Sequence, residues 1–205
     1  MNVPRVGEYY VINPDLEVPP HEVEFVNSDA IRPSGGGIIR PDNGGFPHFS
    51  EIPQLKDTVP EGSLRDFQVA FEGYWLVSDR LKSIFEAIDP EGFQFVPCEL
   101  VCFDGSAGPL YYLCDVSRTL DAVDEDYSEV RVLTEGFANG KFYRLAGGAS
   151  LAFKKDVVKG AHVFRSPFND GLIVCDRVMR DALVEHGFGV FEGDSGMTLD
   201  DAADF

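Results

Sequence analysis

The chain has 205 residues, of which 44% are hydrophobic and 25% are charged, and its formal net charge is −18. This composition supports one globular domain, or two small ones, with an apolar core, and it excludes collagenous, coiled-coil and disordered chains. The 35 acidic residues against 17 basic ones also argue against nucleic acids and anionic membrane surfaces as partners. Two interpretations of the acidic charge stay open: it serves solubility, or it steers a basic partner.

Neither a signal peptide nor a membrane span is predicted. Residues 1–12 lack an apolar segment of the signal-peptide type, and no apolar run approaches the ~20 residues needed to cross a bilayer. The four cysteines are too few for the disulfide framework of a secreted scaffold. We therefore expect a cytoplasmic protein in a reducing compartment.

The first 60 residues are rich in Pro, Gly, Asn and Asp, and we predict that they form a loop-rich lead-in packed on the main domain. Glu8 to Ile12 and Val23 to Val26 have the composition of short strands. Two Gly-rich runs on either side of residues 38–40 are typical of a short hairpin or an irregular loop.

Residues 61–192 predict a single α+β domain with a mostly antiparallel or mixed sheet and two strand–helix–strand units. The first unit starts with a strand over 74–77, and Ser78 is placed to cap the helix that follows. Apolar residues then recur at helical spacing, at Leu81, Ile84, Phe85 and Ile88. Residues 89–92 end the helix, and a strand resumes over 93–96.

The second predicted unit lies near the C-terminus. A strand over 172–174 precedes Asp176, which is placed to cap a helix. The apolar stripe of this helix is Val178, Met179, Ala182 and Leu183. Gly187 is suited to end the helix, and Phe188 to Phe191 predicts another strand.

Five more strands are predicted between the two units, and a tail is predicted after them. The strands span 110–116, 130–133, 141–145, 150–153 and 162–165. From Gly193 to the end the chain carries four Asp residues and no base. We therefore predict that residues 193–205 form an acidic, mobile tail that is dispensable for folding.

Arg165 is predicted to be structural. Phe164 should face the core, and the alternation of a strand then turns Arg165 the other way, toward a carboxylate or backbone carbonyls. A contact with a partner is the alternative role for this residue.

Three motifs resemble functional sites, but each lacks an essential part. Gly193-Asp194-Ser195-Gly196 copies a protease motif inside a predicted tail, without the His base and orienting acid of a triad. A calcium-loop spacing that starts at Asp124 has Glu129 where the sharp turn needs Gly. Cys98 and Cys102 have no second pair of ligands for zinc. No catalytic residue, metal site or cofactor is therefore predicted.

Six segments, taken in order, carry a resemblance to a known family. They are Asp66-Phe67, Val77 to Leu81, Phe95 to Pro97, Tyr111 to Leu113 with the turn Leu120 to Asp124 and Ser128, Gly160 to Arg165, and Ile173 to Phe191. Over residues 60–192 their spacing resembles that of a bacterial immunity-protein family of polymorphic toxin systems, the "immunity protein eleven" type. The resemblance implies a non-enzymatic α+β protein that binds and neutralises a cognate toxin.

The acidic residues are concentrated in one part of the chain. Residues 86–130 hold eleven acids and one base, whereas residues 131–180 hold nine bases and four acids. Because a basic toxin would fit an acidic face, we predict that the stretch from Asp115 to Glu129 contributes to the partner surface. The predicted partner-binding residues are Asp121, Asp124, Glu125, Asp126 and Glu129. The alternative is a solvated turn whose charge serves solubility, with Asp121 as its structural member.

Two other functions stay open at this point. One is an uncharacterised cytosolic enzyme or small-molecule-binding protein, which would require a deep pocket with convergent polar groups. The other is a scaffold that associates with itself, for example through an exposed sheet edge.

Overall fold

The computed structural model describes residues 3–16, 23–31, 40–59, 64–71, 73–190 and 195–205. Within these ranges the chain forms twelve strands and four helices, which confirms the predicted α+β class. The strands are β1 (Tyr9–Pro14), β2 (Val23–Phe25), β3 (Gln54–Asp57), β4 (Phe67–Phe71), β5 (Tyr74–Ser78), β6 (Phe93–Val101), β7 (Tyr111–Val116), β8 (Arg131–Leu133), β9 (Phe142–Arg144), β10 (Val163–Ser166), β11 (Asn169–Asp176) and β12 (Met197–Asp201). The helices are α1 (Ser28–Ile31), α2 (Asp79–Ile88), α3 (Lys155–Val158) and α4 (Arg177–Glu185).

The strands form two larger sheets and a ribbon. The first sheet is antiparallel and has the order β10-β11-β1-β12. The second has the order β2-β3-β6-β7-β5-β4 and is antiparallel except where β3 runs parallel to β6. β8 and β9 form a separate two-stranded ribbon. The pairing is thus mixed and mostly antiparallel, as predicted, although it is divided among three sheets.

The unit β5–α2–β6 follows the pattern of its sequence. Ser78 caps α2, because its hydroxyl oxygen accepts a hydrogen bond from the N–H of Leu81 at 3.2 Å. Leu81, Ile84 and Phe85 are buried, as the helical spacing predicts. The helix ends at Asp89, whose N–H donates to the carbonyl of Phe85 at 2.9 Å.

α4 has the predicted start and end, but the strand predicted after it is absent over residues 188–190. Asp176 caps the helix by accepting from the N–H of Met179 at 3.0 Å. Gly187 has φ +84°, and the N–H of Phe188 returns to the carbonyl of Leu183 at 2.9 Å. This Schellman turn directs the fully buried Phe188 back into the core instead of along a sheet. Phe191 lies outside the described residues.

Three apolar cores hold these layers together. The two longer helices, α2 and α4, share one core with a face of each larger sheet. A second core lies on the other face of the four-stranded sheet and includes Ala122, Val123 and Tyr143 from the region between β7 and β10. A third core lies on the other face of the six-stranded sheet, where Ile31 of α1 packs with Phe25 of β2 and Leu55 of β3.

The prediction of a mobile acidic tail is wrong for residues 195–205. Met197 to Asp201 form β12, which pairs with β1 along the edge of the four-stranded sheet. Met197 and Ala202 are buried, and Phe205 exchanges backbone hydrogen bonds of 2.7 and 2.9 Å with Ala149. The burial of these apolar residues and the pairing with β1 compensate for the entropy that the segment loses when it is ordered. The prediction failed because it considered the Asp residues of the segment and not its apolar ones.

Other elements differ from the predictions in detail. Residues 150–153 form isolated bridges with Glu129 and Val123 instead of a strand. β3 and β4 were not predicted, and the hairpin proposed around residues 38–40 lies largely outside the described residues. In the part of the chain that the structure describes, no helix is long and apolar enough to span a membrane.

Candidate functional site

The predicted acidic stretch begins inside β7, where Asp115 is a buried structural residue. Its side chain is 0% exposed. Its carboxylate accepts hydrogen bonds from the N–H of Gly45 at 2.6 Å, from Nε of Arg40 at 2.7 Å and from Nη2 of Arg165 at 3.3 Å. A carboxylate held in this way cannot contact a partner, so the exposed part of the stretch begins further along the chain.

Arg165 is 1% exposed, and its guanidinium donates to one carboxylate and to backbone carbonyls. Besides Asp115, the acceptors are the carbonyls of Gly73 at 3.0 Å, Val116 at 3.4 Å and Asp170. Burial lowers the pKa of Arg165, and the negative charge of Asp115 opposes that shift. The predicted contacts with a carboxylate and carbonyls are therefore confirmed.

Residues 121–129, here called the acidic loop, lie between β7 and β8 and contain all five predicted partner-binding residues. Four of them have exposed side chains: Asp121, Glu125, Asp126 and Glu129. Asp124 differs, since it is only 9% exposed. The structure therefore brings four of the predicted residues to the surface of one loop and places the fifth largely inside.

The backbone of the acidic loop is fixed against residues 150–152. The N–H of Asp124 donates to the carbonyl of Ala152 at 2.8 Å, and Glu129 and Ser150 exchange hydrogen bonds of 2.8 and 2.9 Å. Ala122 and Val123 are buried in the second core. The exposed carboxylates therefore project from a backbone that is held on both sides of its turn.

Glu125 ties the acidic loop to β9. Its Oε1 accepts a hydrogen bond from the hydroxyl of Tyr143 at 2.7 Å and forms an ion pair with Nζ of Lys141. The hydrogen bonds from Lys141 and Tyr143 hold the pKa of Glu125 below its usual range. Burial raises the pKa of Tyr143, and the hydrogen bond to Glu125 raises it further, so the hydroxyl stays protonated and donates. Glu125 is thus a residue that positions the loop.

The other exposed carboxylates of the acidic loop are less constrained. Asp121 lies 3.6 Å from Nζ of Lys154, and both side chains are partly in solvent. Within the described residues, no hydrogen bond or ion pair involves the side chains of Asp126 and Glu129. These two acids are therefore the ones most available to another molecule.

The predicted site did not include Tyr143, Lys141 or Arg40. The strand predicted over 141–145 places Tyr143 on the same face as Lys141. It does not show that the hydroxyl of Tyr143 reaches Glu125, which is 18 residues away in the chain. Arg40 lies in an irregular region, 75 residues from Asp115, and no local pattern connects the two.

The cysteines and the protease-like motif show no arrangement of a functional site in the described residues. Cys98, Cys114 and Cys175 are buried free thiols, and burial raises the pKa of Cys98 to about 12. Ser195 is buried, and the two residues before it in the protease-like motif lie outside the described residues. Across the described ranges, no group of three or more His, Cys, Asp or Glu side chains is placed to hold a metal ion.

The model of the immunity protein family (Imm11) matches residues 8–204, and the chain belongs to this family. An immunity family implies binding of a cognate toxin, and this one is generally non-enzymatic. The curated proteins compared with the chain give no match.

The match also extends the resemblance that was seen over residues 60–192. It includes β1 and β12, which pair with each other in the four-stranded sheet. Because β1 lies between β11 and β12, the sheet needs residues from both ends of the chain. This explains why a family domain built on the sheet extends beyond residues 60–192.

Proposed function

We propose that the chain is an immunity protein that neutralises its cognate toxin by direct, non-catalytic binding in the cytoplasm of the producing cell. In this proposal the acidic loop forms part of the surface that meets a basic face of the toxin. The observation that carries it is the exposure of Asp121, Asp126 and Glu129 on a loop whose backbone is fixed, in a chain of this family.

The acidic loop acts mainly on the rate of association. Exposed charges raise the rate of productive encounter between oppositely charged proteins, and salt screens this effect over a distance of about 8 Å at physiological ionic strength. The dissociation rate depends instead on well-packed, desolvated contacts at the centre of an interface. The loop is therefore one part of the interface and does not supply its whole affinity.

The five predicted residues take different roles in this proposal. Asp121, Asp126 and Glu129 face the toxin, and Glu125 holds the loop in place through Tyr143 and Lys141. Asp124 is too buried to contact a partner, and its N–H helps to anchor the loop on Ala152.

The first experiment tests the general function. The chain is co-expressed with the toxin encoded beside its gene, and the two are purified through a tag on the chain. We expect a stable complex and protection of growth when both are present. A toxin that stays active and does not co-purify would contradict the proposal.

The second experiment tests the acidic loop. The triple variant Asp121→Asn, Asp126→Asn, Glu129→Gln is compared with a control, Glu91→Gln, Glu185→Gln, Asp204→Asn, which removes the same charge from exposed acids elsewhere. We expect the loop variant to associate about tenfold more slowly at low salt, with a shallower salt dependence, while the control changes little. Equal effects in both variants would mean that association depends on the net charge of the protein and not on the position of the loop.

A further inference from the structure

The ribbon β8–β9 places two arginines side by side on its exposed face. Arg131 lies directly opposite Arg144, and Leu133 lies directly opposite Phe142. Between these pairs, Tyr143 faces the second core and is fully buried. Because side chains alternate along a strand, the arginine pair and the Leu133–Phe142 pair share the opposite face, which is here called the outer face of the ribbon.

The two arginines form no ion pair or hydrogen bond through their side chains within the described residues, and both are exposed. Like charges directly opposite each other in an antiparallel pair are destabilising, because their Cβ atoms are only about 5 Å apart. Acids outnumber bases by 35 to 17 in this chain, so an intramolecular counterion would be easy to supply. An unfavourable arrangement that is kept on a surface is typical of a functional site.

A notch with an apolar floor lies at the end of the ribbon away from the arginine pair. It has a volume of about 180 Å³; Phe137, Phe142, Pro167 and Phe168 supply the apolar part of its lining, and Asn139, Lys141, Asn169 and Asp170 supply polar groups at its rim. The ring of Phe137 stacks on that of Phe142 at 5.1 Å and is 37% exposed. Asn139 donates to the carbonyl of Pro167 at 2.8 Å and so fixes one wall. A preformed notch of this size suits one apolar side chain.

We propose that the outer face of the ribbon is a second toxin-binding surface, where Arg131 and Arg144 together hold a carboxylate side chain of the toxin and the notch receives a neighbouring apolar side chain. This proposal rests on the proposed function. The planar fork of a guanidinium matches a carboxylate with two hydrogen bonds, and two forks at this spacing enclose one carboxylate from both sides. The repulsion between the arginines is then removed only in the complex.

The position of the ribbon gives the pair a role in specificity. β8 begins at Arg131, two residues after Glu129, the last residue of the acidic loop, so the outer face and the acidic loop belong to adjoining parts of the surface. A partner that covers both meets negative and positive charge at fixed relative positions, which sets its orientation and excludes partners with a different charge pattern. The acidic loop steers the toxin, and the arginine pair selects it.

The experiment measures the Kd of the toxin encoded beside the gene for the wild-type chain and for the variant Arg131→Gln, Arg144→Gln. The control, Arg5→Gln with Lys56→Gln, removes the same charge from two exposed positions outside the ribbon. We expect the ribbon variant to raise Kd about 30-fold or more, whereas the control changes it by less than about threefold. The melting temperature of the ribbon variant should stay equal or rise, because the repulsion is relieved.

Each other outcome overturns the proposal. An unchanged Kd, an equal loss in the control, or a loss of binding that accompanies a lower melting temperature would assign no selecting role to the pair. Failure of the wild-type chain to bind the toxin would instead overturn the proposed function, and this inference with it.

A second measurement needs no variant of the arginines. Hydrogen exchange of the wild-type chain should show added protection of the amides at 131–133 and 142–144 when the toxin is bound, and Phe137→Ala should weaken binding about tenfold or more while the chain stays folded. Unprotected ribbon amides in a formed complex would place the interface elsewhere.

Discussion

Asp115 and the acidic loop belong to one acidic stretch of the sequence, and the fold uses their carboxylates in opposite ways. Asp115 is inside the protein, where Gly45, Arg40 and Arg165 donate to it. Asp126 is exposed and forms no side-chain ion pair or hydrogen bond within the described residues. A buried charge must be paired and hydrogen-bonded, whereas an exposed one is hydrated. Charge that the fold requires is thereby separated from charge that is free to meet a partner.

The energies of the two situations differ enough to be measured. Removal of one partner from a buried ion pair typically costs ~3–5 kcal/mol, because the other charge is left uncompensated. Substitutions on the surface are usually within about 0.5 kcal/mol. Stability measurements on single carboxylates can therefore sort the acids of this chain into the two groups.

The largest loss of stability is expected when residues 195–205 are removed. This segment is rich in Asp, like the acidic loop, but part of it is buried, like Asp115. Truncation after Glu192 removes β12 and the buried Met197. Loss of a buried Met side chain alone costs ~2–5 kcal/mol, out of a total that is typically ~5–15 kcal/mol. We expect the truncated chain to be largely unfolded at 25 °C, as measured by circular dichroism and urea denaturation.

The control for the truncation is Asp204→Asn in the full chain, because this exposed residue carries charge without apolar burial. It should leave the urea midpoint nearly unchanged. A truncated chain with a native melting temperature would show that β12 contributes little and would restore the prediction of a dispensable tail.

The next largest effect is expected for Asp115→Asn, which keeps the shape of the side chain and removes its charge. Arg165 would remain buried beside a neutral amide, so the free energy of unfolding should fall by ~3–5 kcal/mol. Urea denaturation measures this change. A double-mutant cycle with Arg165→Gln should show strong coupling, and additive losses would mean that the two residues do not act as a pair.

A smaller, pH-dependent effect is expected for Asp89, which also lies in the acid-rich part of the chain. Burial raises the pKa of Asp89, but hydrogen bonds from Arg118 and from the N–H groups of His162 and Val163 outweigh it and hold the pKa below 3.8. Asp89→Asn should cost ~1.5–3 kcal/mol at pH 7, as for hydrogen bonds to a charged group.

The direction of the pH dependence follows from the lowered pKa. A carboxylate with a depressed pKa in the folded state stabilises fully above its unfolded pKa, and this contribution is lost as the pH falls through the folded pKa. The difference in stability between wild type and Asp89→Asn should therefore be constant at neutral pH and shrink below pH ~4. A difference that stays the same at low pH would contradict this role for the charge.

The local elements were the part of this structure that sequence could predict. The caps Ser78 and Asp176 and the apolar stripes behind them are visible because each depends on residues within one turn of helix. β12 was missed because its partner, β1, lies at the other end of the chain. For the same reason no pattern in residues 115–129 could show that Asp115 is inside and Asp126 outside.

A loss of stability smaller than that at Asp89 is expected for Glu125, the member of the acidic loop whose side chain is both exposed to solvent and hydrogen-bonded within the fold. Its side chain is 39% exposed, yet it accepts from Tyr143 and Lys141. Tyr143→Phe removes the donor without changing the packing of the ring, and should cost ~1 kcal/mol. Glu125→Gln should cost about the same or less, since solvent screens the ion pair. A loss as large as that at Asp115 would mean that Glu125 is part of the core network.

The smallest effect on stability is expected for Asp126→Asn. This variant tests most directly the difference between the buried Asp115 and the exposed acids of the loop. The side chain is exposed and has no side-chain contact of its own within the described residues, so the free energy of unfolding should change by less than ~0.5 kcal/mol. If the acidic loop steers the toxin, the same variant should slow association measurably at low salt and leave the dissociation rate unchanged.

Urea denaturation measures the stability of the Asp126→Asn variant, and stopped-flow binding to the toxin measures its association rate. A clear loss of stability would place Asp126 with Asp115 among the acids that the fold requires. Unchanged association at low salt would leave it as a solubilising charge.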